Sequence, residues 1–126
     1  MKHLRKIINL NYLTTLTTGN NHIITDMIKL FITEITKEIQ LIEKGIIEND
    51  FTLIKSRIHN IKGIMYYVGL DKIVKKDLLE IEKLAVNQLD ILGIGMLFSK
   101  TKKKFRRAIQ ELNDWILLTN VKKTCK

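Results

Sequence analysis

One short stretch of the chain holds residue types that could do chemistry together. It reads Lys55-Ser56-Arg57-Ile58-His59-Asn60-Ile61-Lys62-Gly63-Ile64-Met65. On a helix, residues three and four apart are surface neighbours. His59 would then have a cation, Lys62, and a missing side chain, Gly63, one turn beyond it. A neutral imidazole nitrogen is a good nucleophile near pH 7. If it accepts a phosphoryl group, about two negative charges appear there, as on other phosphorylated side chains. Lys62 is placed to offset part of that charge. Gly63 has two readings: it lets the backbone of a partner approach closely, or it packs against another helix. Phosphoryl transfer has a loose transition state, so catalysis is mostly positioning and charge stabilisation. A helix that only presents the nucleophile can leave the rest to its partner.

Such a residue needs a helix, and the chain is rich in helical period. Four long segments predict helices. The first covers about 21–44, with apolar Ile24, Met27, Ile28, Phe31, Ile35, Ile39 and Ile42 stepping by threes and fours. Gly45 marks its end or a late turn. The second covers 50–68, with Asp50 as N-cap, Gly69 just past its end, and a stripe of Phe51, Ile54, Ile58, Ile61, Met65 and Val68. His59 lies about 100° round the helix from Ile58. That puts it on a flanking row with Lys55, Lys62 and Tyr66. The third covers about 71–86, with Asp71 as N-cap and Val74, Leu78, Ile81 and Ala85 as its stripe. The fourth covers about 91–118, on Phe98, Phe105, Ile109, Leu112 and Ile116, before a tail at 119–126. A short helix at about 9–18 precedes them, closed by Gly19-Asn20-Asn21. Short connections make neighbouring helices antiparallel. The expected fold is therefore all-α: one domain, an up-down-up-down four-helix bundle with a short N-terminal helix capping one end. The absence of proline and the presence of only six glycines fit long helices better than a many-turned β fold.

The motif itself resembles a known family. His59, Lys62, Gly63, Gly69 and Leu70 form His-x-x-Lys-Gly, five residues, then Gly-Leu. This is similar to the signature of histidine-containing phosphotransfer (HPt) domains. Upstream, Asn9 to Leu13, Gly19, and Met27 to Phe31 resemble the short leading helix, glycine turn and first bundle helix of that family. The likeness covers about residues 8–86; the last helix matches only in period and length. It implies a monomeric bundle whose histidine, here His59, takes phosphoryl from a receiver-domain aspartate and passes it to another receiver. The implied partners are the receiver domains of a hybrid histidine kinase and of a downstream regulator. No cofactor of the chain's own is implied, because Mg²⁺ belongs to the receiver. Where many members have small residues after the glycine, this chain has Ile64, Met65, Tyr66 and Tyr67, and bulk at Tyr66 would narrow the set of receivers.

Other chemistries find little support. Cys125 is the single cysteine, which excludes an internal disulfide and a cysteine-based zinc site and fits a reducing compartment. His3 and His22 lack the Glu-x-x-His pairing of a di-metal bundle, so no metal site is expected. No Gly-x-x-x-x-Gly-Lys-Ser/Thr run offers a nucleotide site. The residue after His59 is Asn60, where a histidine-kinase phosphoacceptor helix carries an acid, and the chain lacks room for an ATP-binding domain. The longest apolar runs, 63–70 and 91–98, are too short to span a membrane. Without a leader pattern, we expect a cytoplasmic chain; Met1 and the charged tail favour a free-standing protein, with a piece of a larger hybrid kinase as the open alternative.

The net charge of +9 comes from 22 Lys and Arg against 13 Asp and Glu, and it is uneven. Residues 1–50 balance, six against six, so the excess lies in 51–126. Six of the eight residues from Lys100 to Arg107 are basic. A solvated helix face is the favoured reading of that segment. Docking of an acidic receiver and binding of nucleic acid are its rivals; nucleic acid is disfavoured because no base-reading motif is present. The alternative for the whole chain is a non-catalytic helical adaptor that binds a receiver or nucleic acid through its basic half.

Overall fold

A computed structural model of the chain describes residues 6–124, with side chains over residues 6–120. His3 and Cys125 lie outside the described residues. Five helices follow one another: α1 (Asn11–Leu16), α2 (Asn21–Ile47), α3 (Phe51–Ile64), α4 (Asp71–Val86) and α5 (Ile91–Thr124), with a 3₁₀ turn at Met65–Val68 between α3 and α4. There is no strand among the described residues. Helix α2 packs on α3, α3 on α4, α4 on α5, and α5 back on α2, while α1 sits on the 3₁₀ turn. The four long helices form an up-down bundle, and α3 and α5 are diagonal to one another. No helix among the described residues is long and apolar enough to cross a membrane.

Local chemistry starts and stops these helices. The Asn20 side chain accepts from the Ile23 N–H at 3.1 Å, Asp50 from Leu53 at 3.0 Å, and Asp90 from Gly93 at 2.9 Å. Each satisfies one of the donors left open at a helix start. The core follows most of the expected period: Ile28, Ile35 and Ile42 from α2, Ile54, Ile58 and Ile61 from α3, Val74, Leu78 and Ile81 from α4, and Phe98, Phe105 and Leu112 from α5 are all buried, whereas Met27, Phe51, Ile109 and Ile116 are half-buried at its edge. Three further residues of α5, Ile94, Thr101 and Ala108, complete that row with no exposed surface. Thr101 is tolerated there because its hydroxyl donates to the Leu97 carbonyl at 2.9 Å.

The boundaries differ from expectation in five places. Helix α1 spans Asn11–Leu16 rather than 9–18: the Asn9 N–H donates instead to the Val68 carbonyl at 2.8 Å, which ties the leading segment to the 3₁₀ turn. Helix α2 does not stop near 44 but runs to Ile47. Gly45 is buried inside it because α3 starts hard against it; a Cβ at Gly45 would lie 2.9 Å from Ile54 Cγ1 and 3.3 Å from the Asp50 carbonyl oxygen. Helix α3 is α-helical only to Ile64, and its last turn tightens to 3₁₀ before Gly69 at φ 73°. At the next helix start, Leu70 is the N-cap, and Asp71 is the acidic residue of the first turn. Helix α5 continues to Thr124 rather than ending near Leu118, and Gly93 and Gly95 do not prevent its first turn.

Gly69 closes the site end of the bundle. Its φ favours glycine, and a Cβ there would fall 2.5 Å from Asn9 Cβ. The leading segment then lies along α5, where the Ile7 and Ile8 N–H groups both donate to Glu111 Oε1, at 2.8 and 3.1 Å.

Candidate functional site

Burial of Ile54, Ile58 and Ile61 fixes the rotation of α3. That rotation leaves Lys55, His59 and Tyr66 exposed and Lys62 half-exposed. The His59 imidazole has no hydrogen-bond or ion-pair partner among the described residues, so both ring nitrogens are open to a reagent from solvent. It borders a shallow cleft of about 320 Å³ between α2 and α3, lined by Glu34, Glu38, His59, Asn60, Gly63 and Ile64.

Gly63 belongs to the same cleft. A Cβ placed on it would meet no atom within 4 Å, so no helix packs against it. Of its two readings, packing is removed and open approach stands. Lys62 is turned the other way. Its ammonium donates to Glu82 Oε1 on α4 at 2.9 Å. The structure therefore brings His59 and Gly63 together on the α2 side and draws the Lys62 charge toward α4. The side chains of Lys62 and Glu82 are 35% and 22% exposed, so the pair is partly screened by solvent and worth on the order of 1 kcal/mol. The ammonium can leave Glu82 at small cost.

Two carboxylates that sequence reasoning passed over complete the cleft. Glu34 is exposed, but Glu38 is 3% exposed. One Glu38 oxygen accepts from Arg57 Nη1 at 3.2 Å, while Oε2 is buried with no hydrogen-bond partner. The signal was present in the sequence: Phe31, Ile35, Glu38 and Ile42 step by four, three and four, which puts an acid in a core row.

An apolar groove continues from the cleft. Its lining of Leu13, Met27, Leu30, Phe31, Tyr67 and Val68 meets the His59 cleft at Glu34 and Ile64, which belong to both. Tyr66 stacks on Tyr67 with ring centroids 4.5 Å apart, and Tyr12 stands edge-on to both at 5.2 and 5.7 Å. Leu30, Tyr12 and Tyr66 are exposed. An oily, aromatic apron thus adjoins the cleft that His59 borders.

The basic segment lies elsewhere. Lys102 pairs with Glu43 of α2, Lys104 with Asp77 of α4 at 2.9 Å, and Arg107 with Glu111 at 3.1 Å. Lys100, Lys103 and Arg106 are exposed, without ion pairs among the described residues. Since α5 is diagonal to α3, these three cations face away from His59. Burial pushes the Asp77 carboxyl upward, but Lys104, Lys100 and the Thr101 hydroxyl outweigh that and hold it below the usual carboxylate range. His22, the other described histidine, pairs with Asp26 at 3.7 Å on the exposed face of α2. No group of three or more His, Cys, Asp or Glu is placed to hold a metal among the described residues. Comparison with protein-family models, with curated proteins and with solved structures finds no match to this chain.

Proposed function

We propose that this chain is a phosphoryl carrier of the histidine phosphotransfer type, with His59 as the group that is reversibly phosphorylated. The observation that carries this reading is the exposed, unpartnered imidazole on α3 with an open glycine one turn beyond it. A nitrogen of His59 attacks the phosphorus of an aspartyl phosphate on a receiver domain. The N–P bond forms as the P–O bond to the aspartate breaks, and the aspartate leaves as a carboxylate. The reverse step hands the phosphoryl group to the aspartate of a second receiver. Mg²⁺ and most of the charge stabilisation would come from the receiver.

This chain's own contribution is positional. The buried isoleucines of α3 hold the imidazole outward, and Gly63 leaves room for the receiver's backbone beside it. Lys62, exchanging Glu82 for the new phosphoryl oxygens, would offset part of their charge. The apolar groove from Leu13 to Val68 offers contact area next to the reacting atom, where apolar burial supplies most of the docking energy.

A panel of phosphorylated receiver domains with Mg²⁺ tests the reading. At least one receiver should label the chain, and a second receiver added afterwards should remove the label. ATP alone should give none. Labelling by ATP without a receiver, or no labelling by any receiver, would count against it.

A further inference from the structure

The three most exposed large apolar side chains among the described residues are Ile47 at 81%, Leu92 at 79% and Met96 at 75%. Ile47 ends α2, and Leu92 and Met96 stand on the first turns of α5. Leu92, Met96, Ser99, Lys103 and Arg106 are spaced by four, three, four and three, so they share one face of α5. That face borders a groove of about 320 Å³ between α5 and the C-terminal end of α2. Ile46, Ile47, Gly95 and Phe98 line its apolar part, Glu43 and Lys102 pair with one another along it, and Lys103 and Arg106, with no ion pair among the described residues, leave its charge positive. A Cβ on Gly95 would make only an ordinary 3.6 Å contact with Ile46 Cγ2. Packing therefore does not demand glycine there, and its absence of a side chain leaves the groove deeper.

We propose that this α2–α5 groove is a second docking site, and that its occupant is an acidic amphipathic helix of a partner protein. Helix-in-groove recognition sets apolar anchors at i, i+3, i+4 and i+7 into such a furrow. From Leu92 to Arg106 the face runs about 21 Å, the length of a four-turn helix. The partner's apolar anchors would cover Ile47, Leu92 and Met96, and its acids would meet Lys103 and Arg106. The same features disfavour other occupants. Nucleic acid phosphates have nothing to do on the apolar part. A bilayer surface does not follow a furrow between two helices. A second copy would bring the same α5 face, Leu92, Met96, Ser99, Lys103 and Arg106, which carries no acid to meet Lys103 and Arg106.

Because α5 is diagonal to α3, this site leaves His59 uncovered. The partner helix and a receiver could be held at once. The inference does not depend on phosphotransfer at His59, and its test reads binding alone.

The test titrates the full ¹⁵N-labelled chain with a helical peptide carrying Leu at i, i+3, i+4 and i+7 and Glu elsewhere. Its Lys counterpart, phosphatidylglycerol vesicles and duplex DNA are run beside it. The Glu peptide should shift the amide signals of Ile46, Ile47, Gly95 and Ser99. Its affinity should fall at least about tenfold in Lys103→Glu/Arg106→Glu. Circular dichroism of the double variant should match the parent. No shift with the Glu peptide, shifts centred on other helices, or undiminished binding by the double variant would overturn the proposal. So would stronger binding through these residues by vesicles or duplex, or a concentration-dependent dimer sealed by this face.

Discussion

At the scale of single residues, α3 carries an unpartnered imidazole at His59, an open position at Gly63 and a cation, Lys62, held by Glu82 of α4. Gly63 gives the sharpest expectation. Nothing stands within 4 Å of a Cβ there, so Gly63→Leu should leave the fold intact and raise its stability by up to about 1 kcal/mol. The same substitution should slow phosphotransfer severalfold or more, because the new side chain occupies the receiver's approach. A melting curve and a transfer rate measured on one preparation check both halves. Lys62→Ala removes a partly exposed pair with Glu82, so stability should fall by no more than about 1 kcal/mol. If the ammonium turns to the phosphoryl group, the variant should shift the phosphoryl equilibrium toward the receiver by up to about fivefold, equivalent to roughly 1 kcal/mol. An unchanged equilibrium would leave Lys62 as a structural tie to α4. His59, Lys62 and Gly63 were legible in the sequence because helical neighbours follow from spacing alone. The partner of Lys62 was not, because Glu82 lies on another helix and is 20 residues away. Glu38 was missed for a different reason: its spacing put it in a core row, but its charge argued for solvent, and Arg57, which pairs with it, lies on another helix.

At the scale of elements, period decided more than any single residue type. The isoleucine-rich stripe of α2 forms a helix despite strand propensity, because its apolar positions match 3.6 residues per turn and find a partner face. What the sequence could not convey was how closely two elements approach. Gly45 suggested a helix end or a late turn; it lies in the last turn of α2, and the spacing did not convey that α3 presses on it there. Gly45→Ala should gain about 1 kcal/mol in helix propensity but lose about 1–3 kcal/mol to overpacking against Ile54 and the Asp50 carbonyl. The expected net result is a lower denaturation midpoint; a higher one would mean that the contact relaxes freely. The α4–α5 seam gives a pH signature through Asp77 and Lys104. The folded Asp77 carboxyl holds its proton less tightly than the unfolded one. Its contribution to stability is therefore full above the ordinary carboxylate value of about 4 and is lost as pH falls through the lower folded value. Asp77→Asn should lower stability at neutral pH and flatten its decline in acid. An acid limb as steep as the parent's would show that Asp77 does not contribute to it.

At the scale of the whole molecule, the bundle separates two surfaces. Helix α3 and the apolar apron near Tyr12 and Tyr66 occupy one side, and the cations of α5 the other, with the core between them. The sequence suggested the bundle and the excess charge of its second half, but not that the charge would face away from His59. That follows from the ring order of the helices, which places α5 diagonal to α3. The arrangement leaves two separate surfaces open to separate contacts. The most direct measurement compares intact masses of the parent chain and His59→Gln after exposure to the same phosphorylated receiver and Mg²⁺. His59 is a flank residue with no partner to lose, so the variant should keep its circular dichroism and melt within about 0.5 kcal/mol of the parent's stability. The parent should gain one phosphoryl group and the folded variant none. Equal phosphorylation of the two chains would contradict the account.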